Sequence, residues 1–412
     1  MRVMIVASRP FAGLRGRQQQ IALGLADAGH EVTYLEPWNA SRPPADDEVI
    51  VATRPAERLT ALGHEATAEP EPREPTRVGW DAEIHWVTQV VARGLAGATG
   101  SETHAGAQGG AREAAAGAVH QALPEMAIVY PPALIPRLRE ALAGPLVFDC
   151  EEDFPATAPS RAAATLYEEA LEEGLPLVDG LVAVNRYLIG SWGRLLRPGV
   201  PSAVIEHGAD LGLFRPPAAS QRNAARKALG LNADARIGAF VGRFDARISF
   251  EDLQRILDVE PALTFLLLGE ANDEGEAILL RLPGARVVRR GPLPQEEVAT
   301  SLAAADLILI PFRREPHLEP QRGLALYEYL ATGLPVVGAF RRGVKAFREL
   351  CYLYTTQEEL EAALQAALAE KPDDPLRARR IATAQEAGWA RRVDELATFL
   401  KGVGAAGVEP RS

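Results

Sequence analysis

The stretch Gly291–Gly338, GPLPQEEVATSLAAADLILIPFRREPHLEPQRGLALYEYLATGLPVVG, decides the fold. Gln295–Ala305 has helical spacing and ends at Asp306, and Leu307–Pro311 is a short apolar run of the kind buried on both faces of a parallel sheet. Phe312, Arg313 and Arg314 follow at once. Open α/β sheets meet their ligands beyond the carboxyl ends of strands, so Arg313 and Arg314 stand where an anion would be held. A polar, Pro-containing loop, Glu315–Gly323, leads into a second helical segment, Leu324–Thr332, and Val336–Val337 resumes a strand. The N-terminus of that helix offers free N–H groups and positive dipole character to a phosphate. Glu328, about one turn in, is placed to accept hydrogen bonds from ribose hydroxyls.

The same alternation extends outward. Ile237–Val241, Thr264–Leu268 and Ala285–Val288 read as strands, with helices at Phe250–Asp258 and Glu274–Leu282. At the N-terminus, Val3–Ala7, the helical Arg17–Ala28 closed by Gly29, and Glu31–Leu35 form a βαβ unit, which requires a right-handed crossover in a parallel sheet. Ala127–Tyr130, Leu146–Phe148, Gly180–Val184 and Ala203–Glu206 continue that half. The expected organisation is an N-terminal Rossmann-like domain over 1–210 with a mobile Gly/Ala-rich loop at about 91–122, and a linker at 211–220 carrying Pro216 and Pro217. A C-terminal domain follows over 221–380, then a terminal helix and tail over 381–412, the helix reading from Arg377 to Lys401.

Composition narrows the function. The 412 residues carry a net charge of −11, which leaves no basic excess for general nucleic-acid binding. Cys150 and Cys351 are too few for a disulfide framework and lack metal-ligand spacing, which fits a reducing compartment. No signal peptide opens the chain and no run approaches a membrane span, so a cytoplasmic protein is expected. No D-x-D triplet occurs, so no metal and no cofactor is expected. One helix, with Tyr187, Leu188, Ile189, Trp192, Leu195 and Leu196 beside Arg186, Arg194 and Arg197, is either core-facing or in peripheral contact with a membrane.

DLILIP followed by YEYLATGLPVV resembles the donor-site signature of the GT-B glycosyltransferases, above all the retaining family 4 and its branch associated with teichuronic-acid and surface polysaccharide synthesis. RGRQQQIALGLADAGHEVTYLE, LVFDCEEDF, VIEHGADLGLF, AFVGRFDARISFEDL and GWARRVDEL are similar to further segments of that family in the same order. The resemblance implies an α/β fold of two Rossmann-like parallel-sheet domains facing a cleft, with a terminal helix crossing back to the first domain. It implies transfer of a sugar from a nucleoside diphosphate sugar to an acceptor hydroxyl on a saccharide, lipid-linked sugar or small molecule, with retention and without a metal. Residue by residue, Glu328 matches the ribose-binding glutamate, with Tyr327 beside it in the donor site; Gly242 and Arg243 match the pair under the diphosphate; Arg247 falls near a lysine that neutralises the leaving phosphate. Gly13 and Gly16, in FAGLRG, stand where many members have a paired-glycine phosphate loop. Departures are plain. Pro320 occupies the place of the family's first donor-site glutamate, so either Glu319 substitutes after a loop shift or that contact is absent, and Ala325 replaces a lysine. The site histidine's place falls near Asp149 or Cys150, beside the acidic trio Glu151, Glu152 and Asp153. A catalytically silent lookalike that binds a nucleotide sugar or a partner enzyme, and a GT-B epimerase, stay open as alternatives. An unrelated dinucleotide-binding oxidoreductase is disfavoured, because the only G-x-G-x-x-G, Gly402–Gly407, lies in the tail with no strand before it.

Overall fold

The structure is a computed structural model that describes residues 1–11, 15–37, 50–64, 81, 83–87, 90, 124–314 and 325–406. The chain divides into two compact units, Met1–Glu206 with the chain from Arg392 onward, and His207–Arg391.

In the first unit the strands are β1 (Arg2–Val6), β2 (Glu31–Leu35), β3 (Ile50–Ala56), β4 (Leu59–His64), β5 (Met126–Val129), β6 (Leu146–Cys150), β7 (Gly180–Ala183) and β8 (Ser202–Val204). They form one sheet in the order β3-β4-β2-β1-β5-β6-β7-β8, parallel except for the β3–β4 hairpin at its edge. The helices are α1 (Arg17–Asp27), α2 (Ile135–Ala141), α3 (Phe154–Thr157), α4 (Arg161–Gly174) and α5 (Arg186–Trp192). Leu188 of α5 is buried, and Ile189, Trp192, Leu195 and Leu196 pack on the unit's core, leaving Tyr187 49% exposed. The core-facing reading of that helix therefore holds, since its apolar side is already covered. Among the described residues no helix is long and apolar enough to cross a membrane.

The second unit carries β9 (Arg236–Val241), β10 (Leu263–Leu268), β11 (Val287–Arg290), β12 (Leu307–Ile310), β13 (Val336–Ala339) and β14 (Tyr352–Tyr354), all parallel, in the order β11-β10-β9-β12-β13-β14. Counted from β9 this is the 3-2-1-4-5-6 order of the Rossmann fold, so its topological switch point lies between β9 and β12. The continuous apolar strands follow from burial on both faces. Ile237, Ala239, Leu266 and Ile308 point into one core, and Phe240, Phe265, Leu267 and Leu309 into the other. The helices are α6 (Ala219–Ala228), α7 (Phe250–Val259), α8 (Asp273–Leu279), α9 (Gln295–Leu302), α10 (Leu326–Thr332), α11 (Gln357–Ala369) and α12 (Pro375–Gln385), with α13 (Trp389–Ala406) running on into the first unit.

Three expectations need correction. The stretch 211–220 is not a linker but part of the second unit: Phe214 is buried in its core, and the Asp210 carboxylate accepts from the amides of Gly212 and Leu213. The terminal helix is two helices. Ala209 donates to the Ala387 carbonyl and accepts from Trp389, and this strand-like bridge breaks the helical ladder. The strand expected at Ala285–Val288 begins later, at Val287, because Gly284–Arg286 forms a turn of 3-10 helix. The 91–122 loop lies outside the described residues.

Candidate functional site

At the carboxyl end of β9 the chain turns sharply. Gly242 has φ +141°, as does Gly269 after β10, and a Cβ on Gly269 would stand 2.1 Å from the Gly242 carbonyl oxygen. Only glycine fits either position without strain. The Gly242 amide donates to Leu268 and the Phe244 amide to Glu270, so the loop after β9 is fixed to the loop after β10. That fixes where Arg243 and Arg247 leave the backbone.

Arg243 pairs with Glu270 at 3.4 Å, both partly exposed. Arg247 forks onto Asp245, with Nε 2.9 and 3.0 Å from the two carboxylate oxygens, and lies 5.7 Å from the Phe312 ring centre. Arg313 donates its amide to the Arg247 carbonyl at 2.7 Å and its Nε to the Ile248 carbonyl at 3.3 Å. Arg314 is 3.8 Å from Asp252, a buried carboxylate that also accepts from the Tyr354 hydroxyl and Gln357. Arg341, after β13, is buried with its guanidinium 4.7 Å from the Phe312 ring. Among the described residues, five guanidinium groups stand at this edge of the sheet, three of them beside the carboxylates of Glu270, Asp245 and Asp252. Such an edge can hold an anion with charge-assisted hydrogen bonds.

Glu328 sits in the first turn of α10. Gln295, the first residue of α9, donates its Nε2 to the Glu328 carboxyl at 2.8 Å. Burial and the neighbouring Asp210 carboxylate raise the Glu328 carboxyl to about 8, against the lowering effect of Gln295 and the Asp210 backbone amide. Tyr329 donates its hydroxyl to the Val241 carbonyl at 2.8 Å, tying this helix to the end of β9. Tyr327 precedes Glu328 on the same helix. Its ring is buried, edge-to-face with Phe347 at 5.4 Å. Glu319 and Gly13 lie outside the described residues.

The first unit has its own polar edge. Gly16 is the N-cap of α1, its amide donating to Gln19 at 3.1 Å, and the next four residues, Arg17 to Gln20, are all buried. Arg17 forks onto Asp149 through Nε and a terminal nitrogen at 2.9 and 3.0 Å, and donates to the Glu206 carbonyl. Tyr130 donates to the same carboxylate at 2.7 Å. Burial alone would lower the Arg17 guanidinium, but Asp149 and Tyr130 carry it above its ordinary value. Gln18 donates to Ser8 and to Glu151, whose carboxyl is raised by burial against the pull of Arg9. Asp149, enclosed at 0% exposure, is part of the scaffold and not a group that meets a ligand.

The structure therefore gathers Gly242, Arg243, Arg247, Arg313 and Arg314 at one switch point, with the Glu328 helix tied to β9. Arg341 and Gln295 escaped the sequence reading. Arg341 follows VVGAF as Arg313 follows LILIPF, so the strand-end rule would have found it. Gln295 gave no signal, since its partner is 33 residues away.

Residues 235–370 match the family model described as Glycosyl transferases group 1. Over 144 residues the chain is 35% identical to D-inositol 3-phosphate glycosyltransferase of Mycobacterium tuberculosis (strain ATCC 25618 / H37Rv), an alignment that takes in 33% of this chain and only 28% of that relative. Among solved structures it is similar to sucrose-phosphate synthase from Thermosynechococcus elongatus, with a TM-score of 0.71 at 18% identity over 98% of this chain and 100% of the other. The E. coli trehalose-6-phosphate protein bound with UDP-2-fluoro glucose gives 0.64 at 13% identity, covering 97% and 99%. Anabaena Alr3699/HepE in complex with UDP and glucose gives 0.61 at 15%, again over 97% and 99%. The fold is thus the GT-B class of two Rossmann-like parallel-sheet units, and the group 1 glycosyltransferase model matches within the second of them.

Proposed function

We propose that this protein is a glycosyltransferase that takes a sugar from a nucleoside diphosphate sugar and places it on an acceptor hydroxyl, the second unit holding the nucleotide. One observation carries the reading: within the stretch matching the group 1 model, the Rossmann switch point brings a fixed glycine turn and a cluster of arginines to the same sheet edge that anchors the Glu328 helix. Glu328 takes the ribose hydroxyls. Arg243 and Arg247, with Arg313, Arg314 and Arg341 behind them, stabilise the diphosphate as it departs, which places its charge on guanidinium groups instead of a metal. In this reading Arg247 exchanges Asp245 for a phosphate oxygen when donor binds. The departing diphosphate accepts the incoming hydroxyl's proton, and the anomeric configuration is retained. The acceptor is a saccharide, a lipid-linked sugar or a small molecule, and the YEYLATGLPVV resemblance favours surface polysaccharide synthesis in the cytoplasm.

A second reading, a nucleotide-sugar binder without transfer, draws on the fact that Arg247 and Arg314 already face carboxylates of their own chain. Product analysis separates them. UDP-glucose, GDP-mannose and ADP-glucose are each incubated with the protein, alone and with a panel of saccharide and lipid-linked acceptors. Glycosylated acceptor with the donor's anomeric configuration supports transfer. Inverted product removes the retaining mechanism, rearranged donor without acceptor identifies an epimerase, and binding without any product leaves the silent binder.

A further inference from the structure

We propose that Gln295 is a positioning residue for the nucleotide: it fixes the Glu328 carboxyl for the two hydroxyls of a ribose, and ribonucleotide binding drives a proton off that carboxyl. The inference rests on the reading of Glu328 as the ribose acceptor and adds to it a second residue and a proton.

Gln295 opens α9, is only 6% exposed, and aims its Nε2 at a Glu328 oxygen 2.8 Å away. Its other end, Oε1, is buried with no hydrogen-bond donor. A buried amide left half-satisfied is costly. Its orientation is accounted for when the Nε2 end is required by Glu328. Among the described residues, the groups facing the Glu328 carboxyl are Asp210, through both its amide and its carboxylate, Gln295 from α9, and the Tyr329 phenol of its own helix. No cation is among these groups. Two neutral donors are therefore set against burial and a like charge, and the carboxyl keeps its proton up to about pH 8.

A neutral carboxyl has an O–H that must donate, whereas a vicinal diol offers two hydrogens and needs two accepting oxygens. Hydrogen bonds to the charged form favour that form. The diol therefore binds the carboxylate: the Glu328 O–H bond breaks, its proton leaves to the buffer, and both oxygens accept from the ribose while Gln295 keeps its bond. The sign follows. Nucleotide affinity rises with pH until Glu328 is ionised in the free protein, near pH 8, and then levels.

The test is calorimetric titration of the full chain with UDP-glucose, GDP-mannose and ADP-glucose, whose phosphates do not titrate near neutrality, at pH 7 in phosphate and in Tris. The wild type should release close to one proton per nucleotide sugar bound, and none at pH 9.5. Gln295→Leu should bind at least tenfold more weakly at pH 7 and recover at alkaline pH, its affinity profile displaced upward, with Gln295→Met behaving alike if the leucine variant folds poorly. Glu328→Gln should bind without proton release. Binding by the wild type with no proton released, or a Gln295→Leu loss that is equal at every pH, overturns the proposal. Failure of all three nucleotide sugars to bind the wild type overturns the donor reading itself.

Discussion

Asp149 and Glu328 stand at the carboxyl ends of two Rossmann-like sheets, and their surroundings are opposite. Asp149 is enclosed by an arginine fork and a tyrosine hydroxyl. Glu328 has a glutamine amide and a backbone amide for donors, and a second carboxylate for a neighbour. One arrangement is complete without a ligand and fixes α1, β6 and the end of β5 to one another. The other leaves a charge to be settled by something that arrives. A satisfied buried network rigidifies, and a strained one is poised to bind.

The largest effect should come from breaking the complete arrangement. Asp149→Asn leaves the Arg17 guanidinium buried without its counter-charge, and removing one member of such a pair costs about 3–5 kcal/mol. The double variant Arg17→Met with Asp149→Leu should recover most of that, since apolar replacement of both partners is near neutral. Urea unfolding of the three chains reads the difference. A loss below about 1 kcal/mol in the single variant would mean the pair is not the clamp described here.

Next is the ligand-dependent end. A nucleotide at a hundredfold excess over its dissociation constant adds about 2.7 kcal/mol to the apparent stability of the chain that binds it. UDP, GDP and ADP should include one that does so for the wild type, and Glu328→Ala should lose that gain while remaining folded. A Glu328→Ala chain that is stabilised as well as the wild type would move the ribose elsewhere.

The contrast between the two edges explains what could be read in the sequence. Most strands of both units are legible as short apolar runs separated by helical segments, and Arg313, Arg243 and Glu328 are each found by position after a strand or at the head of a helix. Interactions that settle their chemistry come from far along the chain: Arg17 and Asp149 are 132 residues apart, and Gln295 and Glu328 are 33 apart. No local spacing encodes such pairs. The β3–β4 hairpin was missed because IVATRPA and LTALGH, at a sheet edge, carry neither the continuous apolar run nor a two-residue turn signal.

A pH series sharpens the same contrast. The Glu328 carboxyl, ordinarily near 4.5, is raised to about 8 in the folded chain, so the folded state binds the extra proton between those values. Its contribution to stability is therefore complete below about 4.5 and is lost as pH rises toward 8. Glu328→Gln removes the titrating group. The stability of the wild type relative to this variant should fall steadily from pH 5 to pH 8.5 and be flat beyond, measured by urea unfolding in ligand-free buffer. A difference independent of pH would mean that the carboxyl is ionised throughout, and that proton release on nucleotide binding has no source.

The smallest effects distinguish the tyrosines beside the two carboxyls. Tyr130 donates to the Asp149 carboxylate and Tyr329 to the Val241 carbonyl, at 2.7 and 2.8 Å, and both side chains are buried. Hydrogen bonds to charged partners contribute roughly 1.5–3 kcal/mol and those to neutral ones about 0.5–1.5 kcal/mol. Tyr130→Phe should therefore cost more stability than Tyr329→Phe, although the two changes delete the same atom. Their effects on ligand should run the other way. Tyr329→Phe frees the Glu328 helix from the end of β9 and should weaken nucleotide binding, while Tyr130→Phe should leave it unchanged, because its hydroxyl serves a network that is already closed. Equal losses of binding in both variants would erase the distinction between a finished edge and a waiting one.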